Sequence, residues 1–199
     1  MAESMTGFKR SCMCGLVNET MTGENVTVMG WVQRRRDLGQ LIFIALRDRT
    51  GIVQVVIDGN SEEEIFKKAE TVRSEYVLAV TGKVALRTEE NINESMKTGK
   101  IEIIAEQMKI LSESDTPPFQ VEDNINVNDE LRLKYRYLDL RRPSIFKNIQ
   151  LRHNVVKTVR DFLSDEGFLE IETPMLQKST PEGARDYLVP SRVHPGSFY

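Results

Sequence analysis

The sequence predicts a five-stranded β-barrel of the OB type over residues 1–112. A linker over 113–140 and the start of an α+β domain over 141–199 follow it. Three observations carry this reading. Three strand-like apolar runs with short turn segments come first, an amphipathic helix pattern follows the third, and two more strand-like runs complete the set. Strand, strand, strand, helix, strand, strand is the order of a five-stranded OB barrel. A helix between the third and fourth strands separates it from SH3-like and ferredoxin-like orders. From Ser112 onward no period is sustained until a long helical repeat begins after Pro143.

The elements follow in turn. "NVTVMGWV" places Val26, Val28 and Val32 on one face of a strand, the period-2 pattern of a half-buried sheet. Asp37, Leu38 and Gly39 supply turn chemistry, and "LIFIALR" is the second strand. "RDRTG" turns again into "IVQVVI", the third. In "SEEEIFKKAETVRSE", Ser61 is the predicted N-cap, glutamates occupy the first turn, and Ile65, Ala69 and Val72 share a face. "YVLAVTGKVAL" and "KIEIIAEQMKIL" are strands four and five.

Pro117 and Pro118 among acidic residues mark the linker. It runs into the basic segment "NDELRLKYRYLDLRRP", read as a helix capped by Asn128. Pro143 fits the first position of a new helix whose apolar face holds Ile145, Ile149, Val156, Val159 and Leu163. Gly167 ends it. "FLEIETPML" is read as a short strand stopped by Pro174, and "DYLVP" as a candidate strand.

The bulk properties exclude several classes. With 199 residues, 40% hydrophobic and 29% charged, the chain has the composition of a globular protein, and it has no run of about 18 apolar residues. Its start lacks the apolar core of a signal peptide, and two cysteines, Cys12 and Cys14, cannot build a disulfide framework. A cytoplasmic setting is expected. Cys12 and Cys14 have only the remote His153 and His194 as companions, so no metal site is expected. The net charge of −3 conceals segregation. Residues 61–130 carry −8, whereas 131–160 reach +8. For a polyanionic partner the distribution matters more than the sum.

Arg34, Arg35 and Arg36 form the most pointed local feature. Adjacent like charges repel, and folding alone does not need them. They adjoin the strands holding Phe43 and Gln54. Alternation sets Phe43 opposite Ile42 and Ile44, and sets Arg34 and Arg36 on one face with Arg35 on the other. An aromatic for base stacking, an amide for base edges and guanidiniums for phosphates are what single-stranded RNA recognition requires.

"EGFLEIETPML" adds a longer spaced pattern, and here the chain resembles the class II aminoacyl-tRNA synthetases of the bacterial aspartyl type. The segment from Gly167 to Leu176 is similar to class II motif 1, in which a long helix and strand form the dimer interface in that family, with Gly167 and Pro174 among its residues. "RRRDLGQLIFIALRDRTGIVQVV", "LRLKYRYLDLRRP" and "STPEGARDYLVPSRVHPGSFY" are similar to its stretches in the same order, from about Gly15 to Tyr199. The resemblance implies that the barrel binds the tRNA anticodon loop. Phe43 would stack on the central base and Gln54 would read its edge. Arg36 and Leu38 would contact the first base, Arg87 and Asn91 the last, and Glu102 the anticodon side. Leu38 would favour an enzyme that excludes the asparagine tRNA.

The resemblance further implies that Glu182 engages the ammonium of L-aspartate, that Ser179 lines its pocket, and that Gly183 lets the loop close. A carboxylate facing an ammonium is a sound pairing. Motif 2 and motif 3, with their ATP-binding arginines, are not in the sequence. It is therefore expected to be the front third of a homodimeric aspartate–tRNA ligase that uses ATP and Mg²⁺, with no catalytic residue of its own. It should bind tRNA without catalysing. Asparaginyl- and lysyl-tRNA synthetases share this layout, and a stand-alone OB RNA-binding module is the alternative outside the class.

Overall fold

The computed structural model describes residues 2–59, 63–176 and 187–198. The chain divides into two compact units, 1–142 and 143–199.

The first unit is the predicted barrel. Strands β1 (Asn25–Asp37), β2 (Leu41–Asp48), β3 (Gly51–Asp58), β4 (Val77–Leu86) and β5 (Ile101–Ser112) close in the order β1-β2-β3-β5-β4. All neighbours are antiparallel except β3 and β5, which run parallel. Alternating residues fill the interior: Val28, Val32, Ile42, Ile44, Leu46, Val53, Val55, Leu78, Val80 and Ile103 are all fully buried. Helix α1 (Glu63–Thr71) joins this core with Ile65 and Ala69, and Val72 just beyond it does the same, the face read from the sequence. Ser61, its predicted cap, lies outside the described residues.

Closure requires strands to approach closely. A Cβ on Gly30 would sit 2.3 Å from the Arg47 carbonyl oxygen, and one on Gly82 would sit 2.1 Å from that of Ile104. Glycine is the residue that permits such contact. Gly82 also adjoins a register shift between β4 and β5.

Strand β1 is longer than the alternating run and continues through the arginines. Its register against β2 shifts between Val32 and Arg34: Val32 faces Leu46, and Arg34 faces Ala45. Gln33 is thus the extra residue of a β-bulge. Without it, Arg34 and Arg36 would share the inward parity of Val28 and Val32, and two guanidiniums would enter the core. The bulge reverses the parity and turns both outward.

The stretch read as a linker lies against the barrel. Phe119 and Val121 are buried, Gln33 Nε2 donates to Glu122 Oε1 at 3.0 Å, and the Arg141 guanidinium lies 4.9 Å from the Trp31 ring centre. Helix α2 (Asp129–Lys134) is capped as expected, with Asn128 Oδ1 accepting from the Leu131 amide at 2.9 Å. Helix α3 (Arg136–Asp139) ends at a fully buried carboxylate, Asp139. Arg132, Arg136 and Arg142 all bind it, at 3.0, 3.2 and 3.0 Å.

In the second unit, helix α4 (Pro143–Asp165) begins at the predicted proline. It closes with Phe168 donating to the Leu163 carbonyl and Gly167 to that of Ser164, Gly167 having φ +87°. The strand expected at 168–176 is not formed. A strand draws its hydrogen bonds from a neighbour, and no strand lies beside it among the described residues. Of the expected "DYLVP" strand, the described part forms only an isolated bridge between Pro190 and Phe198. No helix among the described residues is long and apolar enough to cross a membrane.

Candidate nucleic-acid interface

The outward positions of β1, β2 and β3 form two cross-strand rows. Arg34 faces Ala45, which faces Gln54, and Arg36 faces Phe43, which faces Val56. Arg34 and Arg36 are exposed, and Phe43 is half-buried while its neighbours Ile42 and Ile44 are fully enclosed. One face thus carries an aromatic ring between a guanidinium and an apolar wall, with an amide in the adjacent row. Alanine at position 45 leaves space between Arg34 and Gln54.

Arg35 points the other way, as alternation requires. Its Nη1 donates to the carbonyls of Ala69 (3.2 Å) and Glu70, in the last turn of α1. They stand at the negative end of the helix dipole, which a guanidinium satisfies, and the Ala69 carbonyl also accepts from the Val72 amide at 3.3 Å. Arg35 is therefore structural, and the Arg34 and Arg36 side chains have no hydrogen-bond or ion-pair partner among the described residues.

Strand β5 runs parallel beside β3 with Val55 facing Ile103, which brings Glu102 next to Gln54. Gln54 Nε2 donates to Glu102 Oε2 at 3.0 Å. Arg87, at the end of β4, donates through Nε to the Ile101 carbonyl at 3.0 Å and lies 3.8 Å from the same carboxylate. Burial pushes the Arg87 guanidinium below its usual range, with Glu102 opposing. Its Nη2 is enclosed without a hydrogen-bond partner. An enclosed donor left unpaired is costly and is relieved by an incoming acceptor. The series Arg87, Glu102, Gln54 continues the polar row from β3 onto β5.

The remaining expected residues lie on loops that border this face in OB barrels. Leu38 sits at the β1–β2 turn with 71% of its surface exposed, so it contributes nothing to the core. The turn is held by Gly39 (φ +82°), whose amide donates to Asp37 Oδ1. Asn91 is exposed in a short 3₁₀ turn, Glu89–Asn91, and its Nδ2 donates to Thr88 Oγ1 at 2.8 Å. Thr98 fastens the same loop to the barrel by donating to the Ile52 carbonyl at 2.5 Å. Gly167 and Pro174 lie in the second unit, at the end of α4 and in the irregular stretch after it. Ser179, Glu182 and Gly183 lie outside the described residues.

Sequence reasoning missed Gln33 as the bulge residue and Thr98 as the loop anchor. Gln33 left a signal. Val26, Val28 and Val32 have the parity of Arg34 and Arg36, and cations cannot share an interior with valines. An extra residue had to intervene.

Comparison with known proteins follows the same division. Residues 26–111 match the family model of OB-fold nucleic acid binding domains, and residues 128–199 match that of class II tRNA synthetases (D, K and N). The chain is 61% identical to an aspartate–tRNA(Asp/Asn) ligase of Halothermothrix orenii, over 100% of this chain and 34% of that protein. It is 59% identical to an aspartate–tRNA ligase of Ruminiclostridium cellulolyticum, over 100% and 33%. Among solved structures, asparaginyl-tRNA synthetase from Pyrococcus horikoshii complexed with asparaginyl-adenylate superposes with a TM-score of 0.77 at 26% identity, over 94% of this chain and 41% of that one. The chain spans about a third of the length of the curated relatives it matches. Residues 26–111 therefore belong to the OB-fold nucleic acid binding family and residues 128–199 to the class II tRNA synthetases of D, K and N type, the whole aligning with the N-terminal third of aspartate–tRNA ligases.

Proposed function

We propose that this chain is the tRNA-reading part of an aspartate–tRNA ligase, and that its barrel binds the anticodon loop of the aspartate tRNA through the outer face of β1, β2, β3 and β5. The observation that carries the reading is the row Arg36–Phe43–Val56 beside Arg34–Ala45–Gln54, in a chain 61% identical to such a ligase. Phe43 stacks on the central base, and Gln54, oriented by Glu102, reads its edge. Arg36 and Leu38 meet the first base, and Arg87 and Asn91 meet the last. Arg34 holds a phosphate. Contacts of this kind divide into those that position the RNA and those that specify it.

In the whole enzyme Glu182 and Ser179 would hold L-aspartate, and ATP with Mg²⁺ would supply its activation. Among the described residues no three His, Cys, Asp or Glu side chains converge as a metal site. The motif 1 region from Gly167 to Leu176, which includes Pro174, with the exposed apolar side chains Val155, Val156, Val159 and Leu163 of α4, supports a homodimer.

The test is binding of the 199-residue chain to anticodon stem-loops of the aspartate, asparagine and lysine tRNAs. Tightest binding to the aspartate loop is expected, and equal binding to all three would refute the reading. Relatives named aspartate–tRNA(Asp/Asn) ligase and aspartate–tRNA ligase match at nearly the same identity, 61% and 59%. The asparagine loop therefore tests the exclusion that Leu38 implies.

A further inference from the structure

Positions 33 to 36 of β1 are all polar, Gln-Arg-Arg-Arg. Register in a sheet is enforced by burying the apolar set, and a run with no apolar residue is weakly specified. An extra residue placed at Arg34 or Arg35 would satisfy the core equally well. It would leave Arg36 opposite Phe43, but the outward place opposite Ala45 would pass from Arg34 to Gln33. The hydrophobic pattern thus demands a bulge after Val32 without saying where.

The stretch that follows the barrel supplies the missing constraint. Gln33 Nε2 donates to Glu122 Oε1 at 3.0 Å, and the Glu122 carbonyl accepts from Arg142 Nε at 3.0 Å. Arg142 is largely enclosed and binds the buried Asp139, while Phe119 and Val121 bury their side chains on either side of Gln120. On the barrel side, Val32 is fastened on both backbone groups: its amide donates to the Tyr76 carbonyl, and its carbonyl accepts from the Glu75 amide. Gln33 is the first residue beyond that clamp, and Glu122 is the group that holds its side chain.

We propose that Gln33 and Glu122 are positioning residues for RNA binding: their hydrogen bond fixes the bulge at position 33 and so sets Arg34 beside Arg36 on the outer face. The inference rests on the reading of the outer face as an RNA-loop site. It carries a sign that simple electrostatics does not. Removing a carboxylate near a polyanion site should strengthen binding if charge were its only role. Loss of the hydrogen bond should weaken it instead.

The experiment measures binding of the full 199-residue chain to the aspartate anticodon stem-loop at two salt concentrations, with urea unfolding as a check on folding. Glu122→Ala should weaken binding roughly three- to tenfold, the scale of one hydrogen bond, and flatten the salt dependence, as Arg34→Ala should by removing one phosphate contact. Glu122→Gln keeps an acceptor for Gln33 and should bind at least as well as wild type. Gln33→Met breaks the same bond from the other side and should match Glu122→Ala. Glu122→Ala combined with Arg34→Ala should bind no worse than Arg34→Ala alone. Tighter binding by Glu122→Ala, or losses that simply add in the double variant, would overturn the inference while leaving the RNA reading intact. Absence of loop binding by the wild type would remove both.

Discussion

Replacing Phe43 with alanine separates the two roles an aromatic can have in a barrel. The ring stands on the outer face between Arg36 and Val56, half in water, whereas Ile42 and Ile44 on either side are fully enclosed. Fully burying a phenylalanine contributes about 1.5–3 kcal/mol, so truncating one already half exposed should cost about 1 kcal/mol of stability. A core Phe→Ala would cost about 3–5 kcal/mol. As a stacking platform the ring contributes about 1–3 kcal/mol per base, a loss of roughly five- to 150-fold in affinity. Urea unfolding gives the first quantity, and fluorescence anisotropy with a labelled aspartate anticodon stem-loop gives the second. Ile44→Ala is the mirror experiment. It should lose about 2–5 kcal/mol of stability and leave the affinity of the folded fraction unchanged. If Phe43→Ala instead loses about 3 kcal/mol of stability and binds RNA like wild type, the ring is core packing and the assignment of this face is wrong.

Gln54→Ala should reduce affinity for the matched central base more than for a mismatched one, because only the matched base uses the amide; equal losses on stem-loops differing at that base would show an amide that does not read. Acid should destabilise the first unit. Burial alone would raise the pKa of Asp48, but bonds from Thr50 and the Cys14 amide overrule it, and Asp139 is held below the usual range chiefly by Arg132. A carboxyl with a depressed pKa in the fold is protonated first in the unfolded chain, so its contribution is complete above about pH 4 and is lost as pH falls further. Urea midpoints should be level between about pH 7 and pH 5 and fall below about pH 4, less steeply in Asp48→Asn and Asp139→Asn; a midpoint that rises on acidification would contradict this. In the complete enzyme, Glu182→Gln should abolish most aspartate-dependent pyrophosphate exchange while tRNA affinity stays at wild-type level. Unchanged exchange would refute the ammonium-binding role.

The barrel was legible in the sequence because every strand has a wet face and a dry one. Val26, Val28, Ile42, Ile44, Val53 and Val55 mark the dry side at period two, and the helix that completes the fold announces itself by Ile65, Ala69 and Val72. The same parity rule placed Phe43 and Gln54 outward. It failed where polarity is uniform. Nothing in Gln-Arg-Arg-Arg tells the extra residue from the other three, because its position is set by Glu122, 89 residues away. Glu102 beside Gln54 and Thr98 on the Ile52 carbonyl are likewise pairings across the barrel. Local patterns find faces, and contacts between distant segments decide what stands beside what on them.

The second unit fails for a different reason. Helix α4 satisfies its own backbone, so Pro143, an apolar repeat and Gly167 were enough to locate both of its ends. "FLEIETPML" has equally good strand residues, yet a strand's amides and carbonyls must be met by a second strand. None is beside it among the described residues. The apolar side chains tell the same story: Val155, Val159, Phe162, Leu163, Leu169 and Ile171 are all exposed. A monomeric surface rarely leaves so many large apolar groups uncovered together. Among the described residues of this unit, the unformed strand and the uncovered helix face lack the same two things, a hydrogen-bonding edge and covering apolar area. The first unit supplies both internally, through a closed barrel that leaves no free edge.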